Sequence, residues 1–297
     1  MNINILKKAE AKILQNKLIA EEKAKSNFDK AFENNEFREL FKQQRELEIQ
    51  IAKKQAFGEQ VDFSSLEQIF DKQEKILNTI NLNLTDLKPN YFCLDCKDTG
   101  YVLGNCCNCL KKEINKQLLS YSGFTEKLVS FEESKLSHPA YDLMQKWCYN
   151  KKNYLNVLIS GHCGTGKTFL TECVASELMK QNKLVLFTTS FNLNNSLLNY
   201  HISFDSAREE IIKPFLTCEC LIIDDLGSEP LLKNVTKEYL YLILNERMLA
   251  HLTTIITTNL NINELLENYG ERITSRLISK KNTLTIYLDN EDLRLKK

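Results

Sequence analysis

The stretch GHCGTGKT, residues 161–168, sets glycines, a lysine and a threonine in the spacing G-x-x-x-x-G-K-T, directly after the apolar run NVLIS (156–160). Between a strand and a helix, that spacing builds a phosphate cradle. Gly161, Gly164 and Gly166 let the backbone of the loop, with His162, Cys163 and Thr165, turn its N–H groups toward phosphate oxygens, and the following helix points its positive end at them. Lys167 supplies charge for the β- and γ-phosphates, and Thr168 a hydroxyl for Mg²⁺. A magnesium shell also needs an acid at the end of a second buried strand. CLIIDDL (220–226) provides Asp224 for the metal and Asp225 to polarise the attacking water. Asn259, closing TTIITTN (253–259), is placed to orient the same water. Taken alone, two acids can simply cap a strand, and a terminal asparagine can be turn chemistry.

Two further groups have chemical potential. In YGERITSRLISKK (269–281), Arg272 and Arg276 lie four apart on one helix face. An arginine presented to a neighbouring subunit's γ-phosphate would stabilise transition-state charge and tie hydrolysis to assembly. The rival reading is a helix salt-bridged through Glu271. CLDCKDTGYVLGNCCNCL (93–110) holds five of the ten cysteines. No stretch approaches the roughly 18 apolar residues of a membrane span, and the N-terminus lacks the apolar core of a secretory signal. A cytoplasmic, reducing setting follows, in which clustered cysteines are metal ligands rather than disulfides. Cys93 and Cys96 make one C-x-x-C corner of a zinc site. Cys106, Cys107 and Cys109 compete for the two places of the other, and C-x-x-C spacing would choose Cys106 with Cys109. The cysteines at 148, 163, 173, 218 and 220 are expected to be buried apolar residues.

The elements that must position these groups are legible in the pattern. From residue 153, β-branched runs (156–160, 184–190, 220–226, 253–259, 283–288) alternate with helical stretches, which predicts an α/β fold with a parallel sheet and helices on both faces. Residues 1–90 hold one glycine, one proline, and fifteen basic against fifteen acidic residues, with apolar positions at helical spacing. They predict an all-α domain of at least two long helices parted near 58–65. Three segments result: a helical domain (1–90), a zinc-binding segment and linker (91–125) and a nucleotide-binding domain (126–297). The 39 basic and 39 acidic residues cancel, so no global field favours a polyanion. Phe191, Tyr200, His201 and Phe204 are placed to stack on single-stranded bases, or to pack an amphipathic helix.

In order, GHCGTGKT, IIDDLGSEP, LNERM (244–248), ITTNL and ERITSRL resemble the AAA+ ATPases of the bacterial replicative helicase-loader group, the DnaC/DnaI- and IstB-like family. CLDCKDTGY…CNCLKK is similar to a cysteine segment found ahead of the ATPase module in several loaders. The resemblance implies an AAA+ P-loop ATPase using ATP, Mg²⁺ and Zn²⁺, with zinc on Cys93, Cys96, Cys107 and Cys109. It implies a replicative helicase hexamer gripped by the helical domain, deposition on single-stranded DNA, and homo-oligomers formed through the Arg276 finger. With 21 residues after Arg276, a truncated or absent helical lid is expected. Two other functions fit the same module: an IstB-like transposition accessory ATPase, and a nucleotide-sensing adaptor with little hydrolysis.

Overall fold

The computed structural model describes residues 3–123, 128–133, 138–150 and 155–289; the tail from 290 onward, on which the expectation about a lid bears, lies outside the described residues. The chain divides into two compact units, residues 12–105 and residues 106–297 together with 1–11.

Residues 12–105 contain most of α1 (Ile3–Phe32), with α2 (Asn35–Ala56) and α3 (Ser64–Thr79). The break between α2 and α3 falls where the sequence predicts it. A second break, at residues 33–34, was not expected: the Asn34 side chain accepts from the N–H groups of Glu36 (2.9 Å) and Phe37 (3.1 Å) and starts α2 afresh. That turn brings Ala31, Phe37 and Leu77 into one small core, flanked by the stacked rings of Phe28 and Phe32 (centroids 5.1 Å apart). A two-stranded hairpin, β1 (Tyr101–Val102) and β2 (Asn105–Cys106), follows.

The second unit adds α4 (Asn108–Tyr121), α5 (Pro139–Tyr149), β3 (Asn156–Gly161), α6 (Lys167–Lys180), β4 (Val185–Thr189), α7 (Ser190–Ile202) and α8 (Asp205–Thr217). It continues with β5 (Cys220–Leu226), α9 (Thr236–Leu249), β6 (Thr253–Thr258), α10 (Ile262–Tyr269), α11 (Glu271–Leu277) and β7 (Thr283–Leu288). The five long strands form one sheet in the order β4-β5-β6-β3-β7, every neighbouring pair parallel. The chain therefore leaves β3 in mid-sheet and re-enters at the far edge as β4, which opens a crevice at the carboxyl ends of β3, β5 and β6. The core beneath it is apolar and dry: Val157, Ile159, Leu170, Val174, Ile222 and Ile255 are each at most 2% exposed.

Two buried polar side chains hold the sheet's periphery. Asn115 of α4 donates to the Lys183 carbonyl (2.8 Å) and accepts from the Val185 N–H (2.9 Å), so a side-chain amide completes the hydrogen bonding of edge strand β4. Arg247, from the LNERM stretch, is fully buried. It donates to the carbonyls of Phe215 (2.7 Å) and Cys218 (3.0 Å) at the end of α8, to the Thr253 carbonyl (2.5 Å) and to the Thr254 hydroxyl (3.0 Å). Its charge faces the negative end of α8 instead of a carboxylate. Among the described residues no helix is long and apolar enough to cross a membrane.

Arg247→Met keeps an apolar stem but removes the guanidinium and strands those acceptors in a buried interior, at a cost of about 3 kcal/mol. For a unit of this size a drop of roughly 10 °C in melting temperature is the expected result by calorimetry. Arg247→Lys, which cannot span all four acceptors, should recover only part of it.

Candidate nucleotide site

Strand β3 ends at Gly161, where a Cβ would lie 2.3 Å from the Leu288 carbonyl oxygen of β7, so only glycine lets the loop depart there. The loop then curls into α6. Cys163, expected to be buried, is exposed on this loop and lines the cleft beside it, whereas Cys148, Cys173, Cys218 and Cys220 are buried as expected. Thr165 donates to the His162 carbonyl at 2.9 Å and closes the turn.

Lys167 is 7% exposed, and its ammonium group donates to the carbonyls of Gly161 (2.8 Å) and His162 (2.7 Å) and to Oδ1 of Asn259. Thr168 Oγ1 donates to Asp224 Oδ2 at 2.8 Å, and Thr257 Oγ1 donates to the other Asp224 oxygen at 2.7 Å. Three elements, α6, β5 and β6, thus meet on one carboxylate. Burial raises the Asp224 pKa, aided by the neighbouring Asp225 charge, against the lowering pull of the two threonine hydroxyls and Lys167.

Asp225 departs from regular strand geometry. Its φ of 60° is left-handed, and the pairing of β5 with β6 shifts register between Ile223 and Leu226. The surroundings hold that conformation: the Asp225 N–H donates to Thr257 Oγ1 (2.7 Å), and its carbonyl accepts from the hydroxyls of Ser190 (2.7 Å) and Ser228 (2.9 Å). The bulge turns the Asp225 carboxylate into the crevice, where Asn259 Nδ2 donates to it at 2.8 Å. Lys167, Thr168, Asp224, Asp225 and Asn259 all line one cleft of about 860 Å³, together with Phe191 and Glu133. That volume suits a nucleoside triphosphate.

Arg276 does not line this cleft. Its guanidinium stacks on Tyr241 of α9 (4.3 Å to the ring centroid) and donates to the Tyr241 hydroxyl (2.9 Å), Asn245 Oδ1 (2.9 Å) and the Arg272 carbonyl (2.8 Å). Of the four aromatic candidates, Tyr200 and His201 are engaged with Tyr239: Tyr200 edge-on at 4.8 Å, and His201 Nδ1 2.9 Å from the Tyr239 hydroxyl. Arg208 covers the other ring face of this group, 4.4 Å from the Tyr200 centroid. Phe204 is 84% exposed.

The sulfurs of Cys93, Cys96, Cys107 and Cys109 lie within 4.8 Å of one another, and Cys106 is not among them. Four thiolates around zinc at about 2.3 Å sit about 3.8 Å apart, so this donor set fits the metal with slight closure. Cys106 instead directs its thiol toward the Cys107 carbonyl (3.8 Å), and burial raises its pKa. Sequence reasoning missed Asp98. Buried within the knuckle, it accepts from the N–H groups of Phe92 and Cys93, both at 2.8 Å, and shapes the first corner. Thr257 and Ser190 were missed as well. Their signal was a hydroxyl residue at the end of an apolar strand and, for Thr257, its place in the ITTNL stretch.

A parallel sheet in this order, with the phosphate loop after β3 and the paired acids on β5, separated from it by β6, defines an AAA+-like P-loop nucleotide-binding fold. The family model for the IstB-like ATP binding protein matches residues 143–297, more than half of the chain, and the chain belongs to that family. It is similar to the replicative helicase loader DnaC of Escherichia coli K12, 26% identical over 125 residues, which are 42% of this chain and 51% of DnaC. It is also similar to the loader DnaI of Bacillus subtilis 168, 29% identical over 113 residues, which are 37% of this chain and 34% of DnaI. The chain thus spans about half the length of the DnaC it matches, and a third of DnaI. A crystal structure of the DnaC helicase loader superposes with a TM-score of 0.45 at 22% identity, covering 53% of this chain and 96% of that one.

The raised Asp224 pKa fixes the sign of a pH effect. The folded chain holds this proton more tightly than the unfolded one, so the group favours folding most below the unfolded value near 3.9, and that contribution is lost as pH rises through the folded pKa. Asp224→Asn should therefore raise the melting temperature of nucleotide-free protein at pH 7 and leave it nearly unchanged in acid. A lower melting temperature at pH 7 would contradict this.

Proposed function

We propose that this chain is an ATP-dependent loader that binds a replicative DNA helicase and helps to deposit it on single-stranded DNA at replication initiation or restart. The observation carrying the reading is the joint grip on Asp224 by Thr168 and Thr257 beside Lys167, a ready-made pocket for a Mg²⁺–triphosphate. The similarity to DnaC and DnaI supplies the client.

In this reading the loop N–H groups of residues 161–168 and Lys167 bind the phosphates, with Lys167 trading its carbonyl and Asn259 partners for phosphate oxygens. Thr168 and Asp224 hold Mg²⁺, which when bound neutralises charge on the β- and γ-phosphates. Asp225, aimed by its bulge, orients and polarises the attacking water with Asn259. Arg276 acts on a neighbouring copy's nucleotide, in keeping with its absence from this chain's own cleft. Residues 1–90 grip the helicase, 91–125 form a zinc-stiffened connection, and 126–297 are the motor. One observation favours an alternative, the transposition accessory ATPase: the family model itself is IstB-like.

Lys167→Ala removes the phosphate charge and should abolish binding of a fluorescent ATP analogue, while Arg276→Ala keeps binding and loses assembly-stimulated hydrolysis. Equal loss of both in each variant defeats the role assignment. Co-purification with a replicative helicase should disappear when residues 1–90 are deleted; capture of a transposase in its place reverses the ranking of the two readings. Emission spectrometry should find about one zinc per chain, retained in Cys106→Ser and lost in Cys107→Ser.

A further inference from the structure

Glu229, in the stretch DDLGSEP, lies outside the cleft, yet its environment is costly. It is 7% exposed, and among the described residues no lysine, arginine or histidine pairs with it. Both carboxylate oxygens are nonetheless engaged: one accepts from the Gly227 N–H (2.9 Å), the other from the phenol of Tyr269, itself 3% exposed. Burial, together with the adjacent carboxylate, raises the Tyr269 pKa far above the usual tyrosine range, so the phenol stays a donor.

A buried carboxylate without a cation is poor value for stability, since an apolar pair of the same shape would avoid its desolvation. What it supplies is a directed connection between two elements. Glu229 stands four residues beyond Asp225, in the loop whose strained backbone sets the Asp225 carboxylate. Tyr269 is the last residue of α10, and only Gly270 separates it from α11, which carries Arg272 and Arg276. The two short helices are tied together by Thr274 Oγ1, which donates to the Leu265 carbonyl at 3.1 Å. A second contact runs in parallel. Gly227, at φ 106°, lies so close to Leu260, just after Asn259, that a Cβ there would meet its Cδ1 at 2.5 Å.

Building on the nucleotide-site reading above, we propose that Glu229 and Tyr269 are positioning residues that join the Asp225 loop to the arginine-bearing helix, so that nucleotide in a subunit's own cleft sets the posture of the arginines it offers to the next subunit. The loop responds first, because ligands that engage Asp225 and Asn259 pull on a backbone held by Thr257, Ser190 and Ser228. The buried pair passes that displacement to α10 and α11 as a rigid lever, with no requirement that Arg276 touch the bound nucleotide.

The test compares full-length wild type with Tyr269→Phe, which keeps the ring and removes the single bond, and with Glu229→Gln, which keeps the shape but can accept only one of the two donors. Amide hydrogen exchange across 271–277 is followed with and without Mg²⁺–ATP, alongside binding of a fluorescent ATP analogue. In wild type, nucleotide should slow exchange in α11 by about tenfold. In Tyr269→Phe that slowing should vanish while the Kd stays within about twofold, and assembly-stimulated kcat should fall about tenfold. Glu229→Gln should lie between. Wild type that binds nucleotide with no change in α11 overturns the coupling alone, as does a Tyr269→Phe protein that retains the slowing. Wild type that binds no nucleotide overturns both the coupling and the reading it rests on. A variant that merely melts lower, with affinity, exchange response and kcat reduced together, assigns the pair to structure and overturns the proposal.

Discussion

One buried carboxylate organises the crevice. Asp224 lies near the end of β5, almost fully buried, and an ionised oxygen there is tolerable only because hydroxyls from two other elements reach it. Thr168 comes from the first turn of the helix behind the phosphate loop, and Thr257 from the neighbouring strand. Each bond lessens the desolvation of the charge, and together they fix α6, β5 and β6 relative to one another. Thr257 then does a second task by accepting the Asp225 N–H, so the hydroxyl that steadies the first acid also sets the bulge that aims the second.

The rest of the site follows from that bulge. A regular strand would send consecutive side chains to opposite faces. The left-handed residue at 225 breaks the alternation and lets both acids serve one cleft. Strain of this kind persists only where the surroundings over-determine it. Here four side chains do so: Thr257, Ser190, Ser228 and Asn259. Ser190 opens α7 and Glu229 reaches α10, so the loop around Asp225 is connected to two helices outside its own strand.

The amino-terminal helices obey simpler physics. Their core is small, a few rings and alanines gathered by the turn at Asn34, and the third helix completes it. Buried Gln73 donates to Gln44 at 2.9 Å, and Asn27 to the Asp86 carbonyl at 3.0 Å, so polar bonds set the register of helices whose apolar faces alone would leave it loose. The charges that dominate the composition of this region lie outside those contacts.

Strand positions, the phosphate loop and the identities of both acids were legible in the sequence because each depends on local features: β-branched runs, glycine spacing and polar residues at the ends of apolar segments. The long helices were legible for the same reason, apart from the break at Asn34, where a single side chain capping the next turn outweighs an unbroken helical pattern. What only the tertiary structure decided was which groups meet. Glu229, Arg247 and Thr257 lie inside the stretches IIDDLGSEP, LNERM and ITTNL, yet nothing in those stretches says what each side chain bonds to, and Ser190 and Tyr269 lie outside them. The cysteine segment divides along the same line. Composition pointed to metal, but three thiols competed for two places until the turn at Asp98 and the start of α4 brought Cys107 and Cys109 to the first pair and left Cys106 aside. Periodicity along a chain encodes which face a residue takes, whereas hydrogen bonds between distant elements depend on where the folded backbone delivers them.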